Sequence, residues 1–227
     1  MIKLTPIILA VFWGLAHYFF SARATKRTLD EKSAELLDRD LTRLTDRMAA
    51  ALDVERIKVH LYDIDLVNGL ATPDGRIFLT RGFYNKYRAG DVTVEELASV
   101  VAHELGHVAL GHARRRLIDF SGQNAARVVL ATILGRFIPF IGIWIANLMT
   151  SMLAARLSQG DEYEADAYAA ALLTKTGIGT EPQKSLFTKL EALTGHQMAA
   201  MPAWLLSHPK VPKRIAAIEA LEARWSA

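Results

Sequence analysis

The hydrophobic residues of this chain follow patterns that predict different elements along its length. An apolar run from Leu4 to Phe20 is close to the shortest helix that can cross a membrane. Apolar residues then recur at helical spacing from Leu29 to Leu52, and residues 57–62 alternate as in a half-buried strand. We therefore expect a mainly helical α+β domain with a small β-sheet or hairpin, behind an N-terminal membrane-anchor helix.

The N-terminal run has two interpretations. The A-x-A-like sequence at 22–24 is typical of a cleaved signal peptide. Three basic residues nevertheless lie within 23–27 and only Lys3 precedes the run, which favours an uncleaved anchor with the rest of the chain in the cytoplasm. We assign 1–27 to the anchor and its flank and 28–227 to one folded domain, and a periplasmic placement of that domain stays open.

The segment from Asn68 to Gly82 indicates a strand, a turn and a second strand. Its turn chemistry comes from Pro73, Asp74 and Gly75, and a proline confines its own strand to a sheet edge or a strand end. An edge strand can pair with an extended peptide by strand addition. An ordinary hairpin explains the same residues.

One strongly predicted helix carries the pattern His-Glu-x-x-His. A capping box from Thr93 to Glu96 starts the helix, and His103, Glu104 and His107 follow on it. Histidines at i and i+4 share one face and can bind one metal ion, and the glutamate can act as general base on a metal-bound water. A lone histidine in such an apolar helix is usually a packed core residue, but the pair makes that explanation less economical.

His112 is not expected to be a third ligand. On a straight helix it lies about 180° around from His103. Leu110 also stands where the longer three-histidine motif has a glycine, which excludes the metzincin class. We interpret the basic triplet from Arg114 to Arg116 as a helix C-terminus that favours cations, or else as a membrane-surface contact.

A downstream helix offers the missing carboxylate. Residues 161–171 have a strong helical pattern, with Ser158 as the expected N-cap, and they place Glu162 and Asp166 on one face. Zinc needs at least one more protein ligand and an open position for water. We expect Glu162 to bind the metal and Asp166 to accept a hydrogen bond from a ligating histidine. A solvated acidic helix start is the alternative, and it explains Asp166 poorly.

Composition narrows the possible partners. The chain has no cysteine, so disulfides and thiolate ligands are excluded and any zinc must be held by histidine and carboxylate. The net charge is only +3 and the basic residues are scattered, so nucleic acid is not an expected partner.

Taken in order, these motifs resemble the HtpX-like zinc metallopeptidases, a gluzincin family that includes the CAAX prenyl proteases. Residues 68–82 are similar to the family segment N-A-F-A-T-P-x-G-x-I-x-V-T-x-G, 162–166 to its E-x-x-A-D block, and 207–215 to its late H-P…R-I block. Two departures stand out: Gly69 replaces an alanine of the strand segment, and Gln159 replaces an arginine that often follows the serine before the ligand glutamate.

The resemblance implies a zincin-like metallopeptidase domain with one zinc ion per chain. Its ligands would be His103, His107 and Glu162. Glu104 would serve as base for the attack of water on a peptide bond, while zinc polarises the carbonyl.

The resemblance further implies a substrate-binding strand and two late residues near the site. Asn68, Ala71 and Thr72 would bind substrate backbone. His208 would approach the active site, although a His-Pro turn is also a common helix stop. We expect Arg214 to pack or pair nearby.

The stretch between the two metal-binding helices is unusually apolar, with no charge from Phe137 to Ala155. A single membrane span here would put the two halves of the metal site on opposite faces of the membrane, and two spans need more residues than the stretch holds. Within this apolar helical insertion, at about 125–157, we expect a helical pair that touches the bilayer or covers the active-site cleft. Burial in the core stays open.

The leading hypothesis is a zinc endopeptidase anchored in a bacterial inner membrane. Its partners would be the membrane and protein or peptide substrates, namely extended or unfolded segments, including those met in membrane protein quality control. A non-catalytic zinc-stabilised adaptor would keep the three ligands without needing Glu104. A chaperone-like peptide binder would use only the edge strand.

Overall fold

A computed structural model describes residues 12–13, 23–24, 26–72, 74–138, 141–194 and 210–226. Within these ranges the chain is mainly helical and carries one small sheet, as the sequence predicts. The elements are β1 (Ser33–Glu35), α1 (Arg39–Ala51), β2 (Val59–Tyr62), β3 (Gly69–Ala71), β4 (Ile77–Thr80), α2 (Arg81–Arg88), α3 (Val94–Ala109), α4 (His112–Phe137), α5 (Gly142–Lys175), α6 (Glu181–Thr194) and α7 (Val211–Trp225).

The sheet has the strand order β1-β2-β4-β3. Strands β2 and β4 are parallel, while β1 and β3 pair antiparallel with their neighbours. The predicted hairpin is therefore present, with Ala71 opposite Ile77 and Gly69 opposite Leu79. Strand β3 lies at an edge of the described sheet, so its outer side faces no other strand within that part of the chain.

Strand β1 corrects the prediction of one helix from Leu29 to Leu52. Residues 26–32 are helical, but Ser33 to Glu35 pair with β2. Helix α1 then starts afresh behind Asp38, whose carboxylate accepts hydrogen bonds from the backbone N–H groups of the first turn. The tertiary pairing outweighs a helical pattern that continues across the break.

The core lies between the sheet and the helices α1, α3 and α5. Strand β4 is its centre, since Ile77, Phe78 and Leu79 are fully buried. Apolar faces of the three helices pack against it. Burying each large apolar side chain stabilises the fold by about 1.5–3 kcal/mol, so this core fixes α3 and α5 beside the sheet.

The capping box predicted for α3 is confirmed. The Thr93 hydroxyl accepts from the Glu96 backbone N–H, and the Glu96 carboxylate accepts from the Thr93 backbone N–H. Glu96 also accepts from Ser185 at 2.7 Å and Lys189 at 2.9 Å on α6. Burial alone would raise the pKa of Glu96, but these hydrogen bonds outweigh it and lower the pKa. The start of α3 is thereby bound to α6.

The apolar insertion forms a helical pair, as predicted. Helices α4 and α5 pack against each other, and a Cβ at Gly142 would lie only 2.4 Å from the Leu134 carbonyl carbon, so the start of α5 lies close against the end of α4. Helix α5 begins at Gly142, so the predicted N-cap Ser158 is wrong and lies inside the helix. The helical pattern of 161–171 is the end of a longer helix whose first half is apolar.

None of the described helices is long and apolar enough to cross a membrane. The predicted anchor falls almost entirely outside the described residues. Of its apolar run only Phe12 and Trp13 are described, and both are helical and exposed.

Candidate metal centre

The candidate site forms where α3 crosses α5. A Cβ at Gly106 would lie 3.0 Å from both the Cα and the carbonyl oxygen of Ala165, so the two helix backbones are nearly in contact. Gly106 stands immediately before His107, and Ala165 lies one turn after Glu162. A glycine at the crossing therefore brings the histidines of one helix to the carboxylate of the other.

Three predicted ligands meet at this crossing. The Nε2 atoms of His103 and His107 lie 3.1 Å apart, and each lies 3.5 Å from one carboxylate oxygen of Glu162. Glu162 is almost completely buried. These atoms form one of the groups in the described residues that could hold a metal ion.

The donor set fits zinc. Imidazole nitrogen and carboxylate oxygen are zinc ligands, and two donors each about 2 Å from a tetrahedral zinc ion lie about 3.3 Å apart. The observed separations of 3.1 and 3.5 Å bracket that value. Three protein ligands also leave a fourth position for water or substrate.

The outer nitrogen of His103 is held by a buried ion pair. Its Nδ1 lies 2.9 Å from Oδ1 of Asp166. Arg214 donates two hydrogen bonds of 2.7 Å to the same carboxylate. The sequence predicted the meeting of Asp166 with a histidine, and the prediction that Arg214 pairs near the site is confirmed. Helix α7 therefore fixes the carboxylate of Asp166 in place.

The carboxylates make this crossing favourable for a cation. Burial by itself lowers the pKa of His103, but hydrogen bonds to Asp166 and Glu162 outweigh it and raise the pKa to about 10. Burial, together with the charge on His103, lowers the pKa of His107 to about 3. Burial would raise the pKa of Asp166, yet its bonds to Arg214 and His103 lower it. One positive charge is thus stabilised here, and a metal ion can replace the proton.

Glu104 and the edge strand lie side by side. A Cβ at Gly69 would lie 3.4 Å from Oε1 of Glu104 and 2.4 Å from Cγ1 of Val100. Strand β3 therefore runs directly against the predicted general base, and only a glycine fits at its first position. This contact gives a physical reason for the departure of Gly69 from the alanine of the family segment.

The three residues predicted to bind substrate backbone all lie in this hairpin. The Asn68 carbonyl accepts from the Thr80 backbone N–H at 3.1 Å, and the Asn68 N–H donates to the Thr80 hydroxyl at 3.0 Å. The backbone N–H of Thr72 donates to the Arg76 carbonyl at 2.9 Å. Ala71 lies within β3 opposite Ile77. These contacts use the inner side of the strand and hold it against β4.

The assumption that His112 lies on the same straight helix as His103 is wrong. Helix α3 ends at Ala109, Gly111 takes a left-handed φ of +66°, and a new helix starts at His112. The ring of His112 consequently turns back, and its Nδ1 lies 2.7 Å from Nδ1 of His107. His112 is not in the group formed by His103, His107 and Glu162, but its ligand atom lies close to those of Asp161 and Glu164, a second group of described residues that could hold an ion. Sequence reasoning missed the contact, although a glycine after a helical run is a helix-stop signal.

The interpretation of the basic triplet as a helix C-terminus is also wrong. Arg115 and Arg116 lie in the first turns of α4. Arg115 donates to Asp161 at 3.1 Å and to Glu164 at 2.8 Å, and Arg116 donates to Asp161 at 3.1 Å. The pairing joins α4 to α5 beside the residues that could hold a metal ion. His208 lies outside the described residues.

The crossing helices, with two histidines and a glutamate that could hold a metal ion and with Glu104 beside an edge strand, have the arrangement expected of a zincin-type metallopeptidase. Residues 35–222 match the model of peptidase family M48, and the chain belongs to this family. The predicted family, the class of zinc metalloendopeptidase and the zinc cofactor are confirmed at this level.

Several proteins to which this chain is similar are named as metalloproteases. The chain is 28% identical over 177 residues to metalloprotease LoiP of Escherichia coli strain K12, covering 78% of this chain and 68% of that protein. It is 25% identical over 170 residues to human mitochondrial metalloendopeptidase OMA1, covering 72% of this chain but only 32% of that protein. Protease HtpX of Alkalilimnicola ehrlichii is 24% identical over an alignment of 233 positions, which covers 88% of this chain and 76% of that protein.

The helix crossing can be tested with two matched glycine substitutions. Gly160→Ala adds a methyl group in open space within α5, so we expect a gain of about 1 kcal/mol in the free energy of unfolding. Gly106→Ala makes the same chemical change against the backbone of Ala165, so the strain should cost about 1–3 kcal/mol and weaken zinc binding. Chemical denaturation and zinc titration measure both effects. Equal stabilisation by the two changes would contradict the close crossing.

Proposed function

We propose that this chain is an active zinc-dependent endopeptidase that holds zinc with His103, His107 and Glu162 and cleaves extended protein segments. The observation that carries the proposal is the convergence of these three side chains at the helical turn that also carries Glu104, which itself lies beside strand β3. A purely structural metal site would need neither a carboxylate base nor an open strand edge. Membership of peptidase family M48 supports the same chemistry.

The protein residues divide the reaction between them. When bound, zinc would supply Lewis acidity that polarises the peptide carbonyl. Glu104 would remove a proton from the attacking water and return it to the leaving amine nitrogen. Asp166 and Arg214 would keep the His103 ring oriented, with its proton on Nδ1 and Nε2 free.

The substrate would bind as an added strand. The outer side of β3 offers backbone groups at a sheet edge, and the inner side is held by β4. An extended segment that pairs with β3 would pass directly over Glu104, because Gly69 brings the strand against that helix. Folded proteins do not present a free extended backbone, so unfolded or extended segments are the proposed substrates, with Asn68, Ala71 and Thr72 fixing the strand that receives them.

The helical pair would rest on a membrane surface. Its tip exposes a set of large apolar side chains, namely Phe137, Ile141, Ile143, Trp144 and Leu148. From 120 to 160 the chain has no aspartate or glutamate, and its three charged residues in that range are arginines. An apolar surface with basic residues only suits an anionic lipid surface. With the N-terminal apolar run, this supports a membrane-anchored enzyme that acts on membrane-associated proteins.

Glu104→Gln tests the hydrolytic mechanism. Glutamine keeps the shape of the side chain but cannot accept the proton, so hydrolysis of unfolded casein should fall at least about 100-fold, since general bases contribute about 10²–10⁴-fold. Zinc content should stay at one ion per chain. Glu95→Gln on the same helix is the control and should keep the full rate. Hydrolysis by the Glu104 variant at the wild-type rate would refute Glu104 as the general base, and no hydrolysis by the zinc-loaded wild type would leave a non-catalytic zinc adaptor as the better explanation.

The role of β3 can be tested through its contact with α3. Gly69→Ala places a Cβ 2.4 Å from Val100 Cγ1, so it should displace the strand and lower kcat/KM about tenfold, which corresponds to about 1.4 kcal/mol. Val100→Ala removes the obstructing methyl groups, and the double variant should recover most of the loss. Zinc content serves as the control and should not change. A double variant as slow as Gly69→Ala alone would contradict the proposed path of the substrate.

Membrane contact of the helical pair can be measured directly, because the chain has no native cysteine. A fluorophore on Trp144→Cys in anionic vesicles should be quenched by spin labels carried on the lipids. The control is the same fluorophore on Leu37→Cys, which is equally exposed but lies outside the helical pair. An unquenched label at position 144 would contradict the proposed placement.

A further inference from the structure

His112 is a buried histidine that the proposed reaction leaves without a role. Its side chain is 1% exposed, although it stands at the first position of α4. Both ring nitrogens have partners: Nδ1 lies 2.7 Å from Nδ1 of His107, and Nε2 lies 3.2 Å from Oε2 of Glu164. A histidine buried in this way joins a proposed zinc ligand to a carboxylate on another helix.

The position of the protons follows from the geometry of the metal centre. The Nε2 atom of His107 faces Glu162 and His103, so zinc would use this nitrogen and the proton of the ring must lie on Nδ1. That N–H can only donate to an unprotonated Nδ1 of His112. The proton of His112 must then lie on Nε2, from which it donates to Glu164.

The series of hydrogen bonds that starts at His107 resembles the one that starts at His103. His103 donates to Asp166, and Arg214 holds that carboxylate. His107 donates to His112, which donates to Glu164, and Arg115 holds that second carboxylate at 2.8 Å. The hydrogen bonds that start at each proposed histidine ligand thus end at a carboxylate–arginine pair. Those that start at His107 pass through one more imidazole, that of His112.

A second metal ion is the competing explanation for the same side chains. His112, Asp161 and Glu164 have ligand atoms close enough to share an ion. The two carboxylates, however, already accept hydrogen bonds from Arg115 and Arg116. Both guanidinium groups bind this pair of carboxylates, whereas only Arg116 reaches Glu162 of the first group, at the longer distance of 3.4 Å, so a divalent cation would be repelled more strongly here. The contacts therefore favour the hydrogen bonds from His107 through His112 to Glu164.

We propose that His112 is a positioning residue that accepts the Nδ1 proton of His107 and thereby fixes the tautomer whose Nε2 binds zinc. This inference rests on the proposed zinc site. Hydrogen-bond partners of this kind change metal affinity about 10–100-fold when they are removed from other metal sites. The glycine turn at Gly111 would have the specific purpose of bringing His112 back to the ring that it orients.

Two substitutions of His112 separate its hydrogen bond from its packing. His112→Leu fills the space but accepts no hydrogen bond, so zinc affinity, measured by chelator competition, should fall about 10–100-fold. His112→Asn can place its amide oxygen near the position of Nδ1 and should restore most of the affinity. Arg114→Ala, an exposed neighbour in the same turn, is the control and should match the wild type. The absorption spectrum of the cobalt-substituted protein should shift in the leucine variant and return in the asparagine variant.

The tautomers themselves can be read in the wild-type protein. Nitrogen-15 spectra of the zinc-loaded chain should place the proton of His107 on Nδ1 and that of His112 on Nε2. This measurement decides the proposal even if the leucine variant does not fold. A proton on Nδ1 of His112, equal zinc affinity of the leucine variant and the wild type, or no recovery with asparagine would each overturn it.

The zinc titration also separates this inference from the proposed function. Failure of the wild type to bind zinc would refute the metal centre and the inference with it. One zinc ion per chain with unchanged affinity in His112→Leu would refute only the inference. A second equivalent of zinc that disappears in His112→Leu would instead make His112 a ligand and overturn its positioning role.

Discussion

The close crossing of α3 and α5 is the constraint on which the site depends. Neither helix alone holds a complete metal centre, because two histidines lie on one and the carboxylate on the other. The missing side chain at Gly106 lets the two backbones approach until imidazole and carboxylate share a space the size of one ion. Any residue that separates the helices by an ångström would separate the donors by about as much, and metal sites tolerate only about 0.2 Å in their bond lengths.

The buried carboxylates of α5 are paired with arginines from neighbouring helices. Asp161, Glu162 and Asp166 are almost completely buried on α5, and burying a carboxylate is unfavourable unless it is paired. Arg115 and Arg116 reach them from α4, and Arg214 reaches Asp166 from α7. The same arginines that stabilise the carboxylates also connect the first turns of α4 and the last helix to the metal centre. Folding of the periphery and assembly of the site are therefore coupled.

Local pattern predicted much of this structure, and its failures have a common physical cause. The capping box of α3, the hairpin that ends in Thr80, and the spacing of Glu162 and Asp166 are short-range signals, and each gave the observed element. Strand β1 depends on pairing with β2, which no local pattern encodes, so it was taken for a helix. The turn at Gly111 was overlooked because the residues on both sides are helical, and with it the contact between His112 and His107 was lost. What failed was the prediction of where a helical run stops, and that error placed His112 on the opposite side of the helix from His103, whereas its ring contacts His107.

The length of helix α5 limits the distance between the exposed apolar tip and Glu162. The helix runs without a break from the exposed apolar tip near Trp144 to the carboxylate of Glu162. At about 1.5 Å per residue, this part of the helix spans about 27 Å. If the tip rests on a bilayer, a continuous helix sets an upper limit on the height of the scissile bond above the lipid. The helix would then act as a molecular ruler, selecting substrate segments by their distance from the membrane as well as by their extended shape.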